Sequence, residues 1–439
     1  MDKTSKIEPR TLKGFRDYGL IEQKARQDML QKIQTTFERF GFAPLSTPAL
    51  EYKEILMNKY GDDEKLVYSF TDNGDREVAL RYDLTVPLAR YVAMNQGTLA
   101  FPFKRYQIAP VWRAENTQRG RSREFYQCDV DVVGTESLSS DAEVIACLCL
   151  ALEAVGIKNY EARINNRQLF KIFLKKFQND EKQIVTIIRG VDKLAKIGTE
   201  GVLQYLRDNG IEDEGIEEVR RFLGLQEAQN IFTEVKNQYE EGSEIVKSMN
   251  ELMKAIMHLG VSADHLAFDP FIARGLDYYT GVVFEVVLKD KPEFGSITGG
   301  GRYDNLVDQY SSQSLPAVGG SIGIDRLFEA LESEHKVKRA RVADCIILNL
   351  DESLRTEYLE IAKILRTANI NTEVYYDAVK LDKQFKYAEQ KNIPFAIVVG
   401  KEEKEKESVK IKNLQTREEK EVQKSELLTT LENLLVSNS

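Results

Sequence analysis

Residues 101–133 read FPFKRYQIAPVWRAENTQRGRSREFYQCDVDVV, and this stretch decides the fold. It holds two runs with the two-residue alternation of strands, 101–113 and 123–133, with no helical periodicity between them. Further strand-like segments at 66–71 and 76–83 are joined by the turn signal Asp72-Asn73-Gly74-Asp75. Strands that follow one another without intervening helices predict an antiparallel sheet. On 123–133 the alternation sets Tyr126, Cys128, Val130 and Val132 on a core side, opposite Phe125, Gln127, Asp129 and Asp131. An aromatic, an amide and two carboxylates on one face suit recognition of a polar ligand, although a single such strand is more often a solvated face.

Neighbouring segments repeat the pattern. Read as a strand, 78–86 sets Arg81, Asp83 and Thr85 against Val78, Leu80 and Tyr82. Segment 111–115 places Val111, Arg113 and Glu115 together beside Trp112, the only tryptophan. Arginine returns at Arg119, Arg121 and Arg123, a basic loop in an acidic chain. Planar guanidiniums with a flat ring suit a triphosphate and a purine, because arginine matches phosphate oxygens bidentately. No G-x-x-x-x-G-K-[ST] loop occurs, and Gly299-Gly300-Gly301 lacks G-x-G-x-x-G spacing, so side chains would have to hold the phosphates. A second chemical stretch, Arg274-Gly275-Leu276-Asp277-Tyr278-Tyr279-Thr280-Gly281, runs into the apolar strand 282–288. One cation, one carboxylate, two phenols and two glycines suit a small zwitterion.

Around these segments the chain organises into modules. A helix over 22–40 opens the fold, with Met29, Leu30, Ile33 and Phe37 at helical spacing and Gly41 as its stop. A second helical pattern covers 140–155. From 165 to 260 the composition turns to Lys/Glu-rich amphipathic helices, such as 216–223 and 228–235, which read as an insertion. Strand signals resume at 268–304 and lead through glycines into a helix at 325–332. The expected division is a catalytic domain in two parts, 1–164 and 261–333, bracketing a helical insertion at 165–260. After a charged linker, 342–439 alternates strands at 343–349, 373–376 and 394–399 with helices at 352–368 and 381–391, a separate α/β domain. The mixed-sign tail 401–424 reads as a solvated hairpin or as a source of RNA-backbone contacts.

Composition narrows the chemistry. The 439 residues exceed one ordinary core, and 42% apolar with 30% charged residues is usual for a soluble enzyme. A net charge of -9 argues against wholesale coating of nucleic acid but permits a local basic stripe. The four cysteines, Cys128, Cys147, Cys149 and Cys345, form neither a disulfide framework nor a zinc knuckle. The three histidines, His258, His265 and His335, lie outside the chemical segments, so a Ser-His-Asp triad or histidine-ligated metal is not expected. No apolar run reaches transmembrane length and no targeting segment is read at the start, which makes the expected location cytoplasmic.

Several of these segments resemble class II aminoacyl-tRNA synthetases. Phe103 to Asp131, with Trp112-Arg113-Ala114-Glu115 and Arg121-Ser122-Arg123-Glu124-Phe125, is similar to class motif 2. Gly319-Gly320-Ser321-Ile322-Gly323-Ile324-Asp325-Arg326-Leu327 is similar to motif 3, and Gly41 to Glu51 around Pro48 to motif 1. The octapeptide at 274–281 and Gly299-Gly300-Gly301-Arg302-Tyr303-Asp304 resemble the two signatures of the histidyl-tRNA synthetase family. Leu80 to Pro87 and Lys13 to Tyr18 fit as well, so the resemblance spans nearly the whole chain. It implies an α+β multidomain fold: an antiparallel catalytic sheet flanked by helices, a helical insertion, and a C-terminal α/β anticodon-binding domain.

The resemblance also implies roles. Arg113 would hold the ATP α-phosphate and Arg121 the γ-phosphate. Adenine would lie between Phe125 and Arg326, with Glu115 at its amino group. Asp83, Thr85 and Gln127 would take the α-ammonium of histidine; Asp131, Tyr279 and Tyr303 would meet the imidazole, and Tyr278 would belong to the same wall. Arg113 and Arg274 would stabilise charge on the reacting phosphate, as the catalytic residues. Mg2+ would arrive with ATP as substrate, and no protein-ligated metal is expected. Implied partners are tRNA(His), L-histidine, ATP and a second copy of the chain in a homodimer, with no membrane. The rival reading is a non-catalytic paralogue, such as the synthetase-like regulatory subunit of ATP phosphoribosyltransferase, which would bind histidine or RNA without making adenylate.

Overall fold

The computed structural model describes residues 7–57, 61–116, 122–177, 180–191, 193–227, 231–238, 242–272, 279–311, 313–332 and 341–437. Its contacts divide the chain into two units, Met1–Arg16 with Met29–Ser333, and Asp17–Asp28 with Glu334–Ser439.

The first unit carries strands β1 (Ala43–Pro44), β2 (Leu50–Tyr52), β3 (Ser69–Thr71), β4 (Glu77–Leu80), β5 (Phe103–Trp112), β6 (Glu124–Val133), β7 (Tyr160–Asn166), β8 (Leu266–Phe268), β9 (Val282–Leu288), β10 (Ser296–Arg302) and β11 (Ala317–Gly323). Eight of them form one sheet in the order β1-β5-β6-β11-β10-β9-β7-β8, while β2-β4-β3 make a separate small sheet. Pairing is antiparallel from β5 through to β7. The edge strands β1 and β8 pair parallel. A parallel neighbour needs a long crossover, and the helices between 167 and 258 supply one from β7 to β8.

The face carrying Cys128, Val130 and Val132 is core: all three are buried, as are Ile322, Phe284, Val286 and Ile164. Helix Leu138–Ala154 packs on β11 and β6, and helix Ser243–His258 packs on that helix. Buried between layers, Leu138–Ala154 is apolar on most of its circumference and starts at a Ser137 cap. The helices of 167–258 have an aromatic core of their own, in which Phe173 stacks on Phe222 at 4.2 Å.

The structure corrects one strand. Alternation suggested that β4 continues through 86, but it ends at Leu80, and Thr85–Asn95 is a helix. Asp83 Oδ1 accepts the amides of Thr85 (3.1 Å) and Val86 (3.0 Å), satisfying first-turn donors. Pro87 in that turn has no amide to lose. Segment 111–115 is likewise strand only as far as Trp112.

The second unit carries β12 (Cys345–Ile347), β13 (Thr372–Val374), β14 (Phe395–Val398), β15 (Ser408–Asn413) and β16 (Glu419–Gln423), ordered β13-β12-β14-β15-β16. Cys345 and Ile347 join one apolar cluster with Tyr358, Ile361, Phe395 and Leu431. Ile346 and Leu348 join a second with Ala388, Ile393 and Ala396. Burial of both faces explains the unbroken apolar runs here. The mixed-sign tail folds as helix Lys401–Glu405 and the β15–β16 hairpin. Its lysines are largely paired: Lys406 with Glu402 (2.5 Å), Lys410 with Glu403 (2.6 Å), and Lys424 with Glu357.

Candidate active site

The site is built on β6. Its register against β5 sets Asp131 opposite Arg105, Asp129 opposite Gln107, Gln127 opposite Ala109 and Phe125 opposite Val111. Against β11, Asp131 faces Gly319, Asp129 faces Ser321 and Gln127 faces Gly323. Paired residues share a face, so these side chains occupy the side opposite the core. That side is no solvated surface. Arg105 is 0% exposed, Asp131 2% and Asp129 3%.

Burial pushes the carboxyls of Asp129 and Asp131 above their usual range, opposed at both by Arg105, while Asp83 adds to the rise. Asp131 Oδ2 stands 2.7 Å from Arg105 Nη2, and its Oδ1 accepts from the Tyr303 hydroxyl. Gly319 makes the room: a Cβ there would lie 1.8 Å from Asp131 Oδ1. Gly300 serves strand approach, since its Cβ would stand 2.2 Å from the Gly319 carbonyl oxygen.

Three arginines staple the segment 81–84 to the sheet. Arg81 donates to the carbonyls of Pro110 (2.9 Å) and Thr47 (2.7 Å). Arg105 donates to the Leu84 carbonyl at 3.1 Å and Arg113 to the Tyr82 carbonyl at 3.1 Å. Asp83 and Thr85 are thereby set beside the polar face, consistent with Asp83 acting electrostatically on both Asp129 and Asp131. The Arg113 guanidinium lies 4.3 Å from the Tyr82 ring centre and 5.1 Å from that of Phe125. Stacked cations of this kind keep a fixed orientation for an anion.

Arg326, Glu115 and Tyr279, also predicted, are held on other segments of the same unit. Arg326 sits in the first turn of helix Ile324–Glu332 and donates to the Ser296 carbonyl, while Asp325 anchors that turn by accepting Tyr126 N at 2.8 Å. The backbone carbonyl of Glu115 accepts from Arg123, whose own amide donates to Gly14 at 2.8 Å. Tyr279 packs with Tyr303 in one apolar cluster. Thr280 N donates to the Arg302 carbonyl at 2.7 Å, tying the two glycine-rich signatures together. Arg302 is itself paired with buried Asp141 and holds the Thr135 carbonyl at 3.0 Å. Arg121, Arg274 and Tyr278 lie outside the described residues.

Sequence reasoning missed Arg105. The signal was available: the alternation that places Val111 on the site face also places Arg105 and Gln107 there, on a strand otherwise mostly apolar. The face also leaves atoms unsatisfied. Among the described residues, Gln127 Oε1, Asp129 Oδ1 and Arg105 Nε and Nη1 are buried without a hydrogen-bond partner.

An antiparallel sheet whose polar face carries an arginine stacked on a phenylalanine, ahead of a glycine-rich strand leading into an arginine-bearing helix, defines a class II aminoacyl-tRNA synthetase. Residues 14–327 match the family described as Histidyl-tRNA synthetase, and 344–434 match the Anticodon binding domain. The histidine–tRNA ligase of Rhodopirellula baltica is 41% identical over 423 residues, 95% of this chain and 96% of that one. That of Treponema denticola is 39% identical over 436 residues, 96% and 97% of the two chains. The crystal structure of histidyl-tRNA synthetase from Nostoc sp. PCC 7120 superposes with a TM-score of 0.86 at 31% identity, covering 98% of this chain and 100% of that one. The chain therefore belongs to the histidyl-tRNA synthetase family, and it is an ATP-dependent ligase whose reaction joins histidine to tRNA. The non-catalytic reading is less supported: the crystal structure of an ATP phosphoribosyltransferase regulatory subunit/histidyl-tRNA synthetase from Bacillus halodurans has a TM-score of 0.72 but only 23% identity, a likeness of fold alone.

Proposed function

We propose that the polar face of β6 performs histidine activation and transfer in two displacements, with the residue roles set out by the family resemblance. The observation that carries this reading is the buried constellation of Asp131, Arg105 and Tyr303 beside Gln127, with Arg113 stacked on Phe125 along the same face. A neutral imidazole has one donor and one acceptor nitrogen, which a carboxylate and a phenol together read. Asp131 takes the imidazole N–H, Tyr279 meets its other nitrogen, Tyr303 meets the ring while bonded to Asp131, and Tyr278 belongs to the same wall. Asp83, Thr85 and Gln127 take the α-ammonium.

ATP arrives as its magnesium complex, the ion held by β- and γ-phosphates and water. Among the described residues no three His, Cys, Asp or Glu side chains cluster as a cage for it. Phe125 and Arg326 sandwich adenine, Glu115 meets its amino group, and Arg121 takes the γ-phosphate. Arg113 has its Nε committed to Tyr82, so its terminal nitrogens face the α-phosphate. A carboxylate oxygen of histidine attacks the α-phosphorus in line, the bond to the bridging oxygen breaks, and pyrophosphate leaves. Arg113 and Arg274 stabilise the charge that builds on the phosphoryl oxygens. The terminal ribose hydroxyl of tRNA(His) then attacks the adenylate carbonyl, its proton passes to a phosphate oxygen, and AMP departs.

In this reading, 1–164 and 261–333 form the catalytic domain, 165–260 grips the acceptor stem, and 342–439 reads the anticodon. The working form is a homodimer in the cytoplasm. Among the described residues no helix is long and apolar enough to cross a membrane. Charging is the test: with ATP, magnesium and labelled histidine, the protein should esterify tRNA(His) and leave other tRNAs uncharged. Adenylate formation without any charging would support the activation chemistry and overturn the transfer step.

A further inference from the structure

Asp129 has no role in the reaction as assigned, yet it lies between two residues that do. A strand advances about 3.3 Å per residue, so Gln127 and Asp131 stand roughly 13 Å apart with Asp129 midway, on the same face. An extended histidine covers about one two-residue step. A substrate whose ring is read by Asp131 therefore places its ammonium nearer to residue 129 than to residue 127 alone.

The hydrogen bonds around Ser321 sharpen this. Gln127 Nε2 donates to Ser321 Oγ at 3.2 Å, and Ser321 is the residue of β11 paired with Asp129, so it stands beside both side chains. Its hydroxyl fixes the Gln127 amide by the nitrogen. Gln127 Oε1 and Asp129 Oδ1 are both buried without a partner among the described residues. Burying a carboxylate oxygen unpaired is costly, so a donor is required there. Two acceptors two residues apart on one strand face, one of them ionisable, match a primary ammonium, which has three donors and no acceptor.

We infer that Asp129 is a further binding residue for the α-ammonium of the amino acid substrate, sharing it with Gln127. The inference rests on the activation reading above and adds a specificity element to it: a carboxylate that favours ligands bearing a free α-amine. A water bridging Asp129 Oδ1 to the unpartnered nitrogens of Arg105 is the competing occupant. Such a water would support the pocket without distinguishing one ligand from another.

Two competitors of histidine separate these cases in equilibrium binding to the intact protein. Histidinol keeps the ammonium and lacks the carboxylate; 3-(imidazol-4-yl)propionate keeps the carboxylate and lacks the ammonium. In Asp129→Asn, histidinol should bind about tenfold or more weakly, the usual loss when a charged hydrogen-bond partner is neutralised, with the propionate changed less than about threefold. Ser321→Ala should show the same selectivity in smaller degree. If Asp129→Asn does not fold, Asp129→Ser carries the same comparison in a smaller side chain. Equal weakening of both ligands, or no change in either, overturns the role of Asp129. If the unsubstituted protein binds neither ligand nor histidine, the activation reading itself fails.

Discussion

At the scale of single residues, the account turns on Arg105 and its carboxylates. Removing one partner of a buried ion pair leaves an uncompensated charge, so Arg105→Ala should lower the free energy of unfolding by about 3–5 kcal/mol. Urea denaturation followed by fluorescence of Trp112 measures this, and a loss below about 1 kcal/mol would show that the pair is not buried as described. Asp131→Ala should weaken histidine far more than ATP in equilibrium binding; equal losses would contradict a ring-reading role. The strand 123–133 was legible because period-two alternation names both of its faces. Arg105 was passed over although the same alternation, run back from Val111, puts it on the site face; a strand otherwise mostly apolar drew no attention to that face.

The elements show where periodicity misleads. Val78, Leu80 and Tyr82 continue the alternation of β4, yet the chain turns into a helix at Thr85. Asp83 followed by Thr85 and Pro87 is a helix-start pattern, and reading it as strand missed the capping role of Asp83. The same carboxylate thus serves the helix and, in the proposed function, the substrate. Asp83→Asn preserves an acceptor for the Thr85 and Val86 amides and should leave stability nearly unchanged while weakening histidine. Asp83→Ala should lose both, with a stability cost of about 0.5–2 kcal/mol. Thermal melts beside histidine titrations of the two variants test this; similar melts for both would remove the cap from the account. The edge strands β1 and β8 were illegible for another reason: parallel pairing depends on crossovers whose path no local pattern records.

For the whole molecule, the antiparallel body, the helical insertion and the C-terminal α/β sheet were all visible as changes in periodicity, and the family signatures named the chemistry. All four cysteines are free and buried, and burial pushes the thiols of Cys149 and Cys345 up to about 12. The native protein should therefore resist a thiol reagent at neutral pH and yield all four thiols on unfolding. Prompt labelling of the native state would contradict this packing. Stability should also respond to pH through Asp129, which faces Arg105, Asp131, Asp83, Arg81 and Ser321 and has its carboxyl raised to about 7. A raised carboxyl stabilises the fold fully below the unfolded value and loses that contribution as pH rises through the folded one. The free protein should lose stability between about pH 4 and 7 by this route, and Asp129→Asn should flatten the slope in denaturation curves. The most direct measurement of the central claim is exchange of labelled pyrophosphate into ATP, run with each amino acid in turn. Exchange that requires histidine and is abolished by Arg113→Ala is the predicted result; no exchange, or faster exchange with another amino acid, would contradict it.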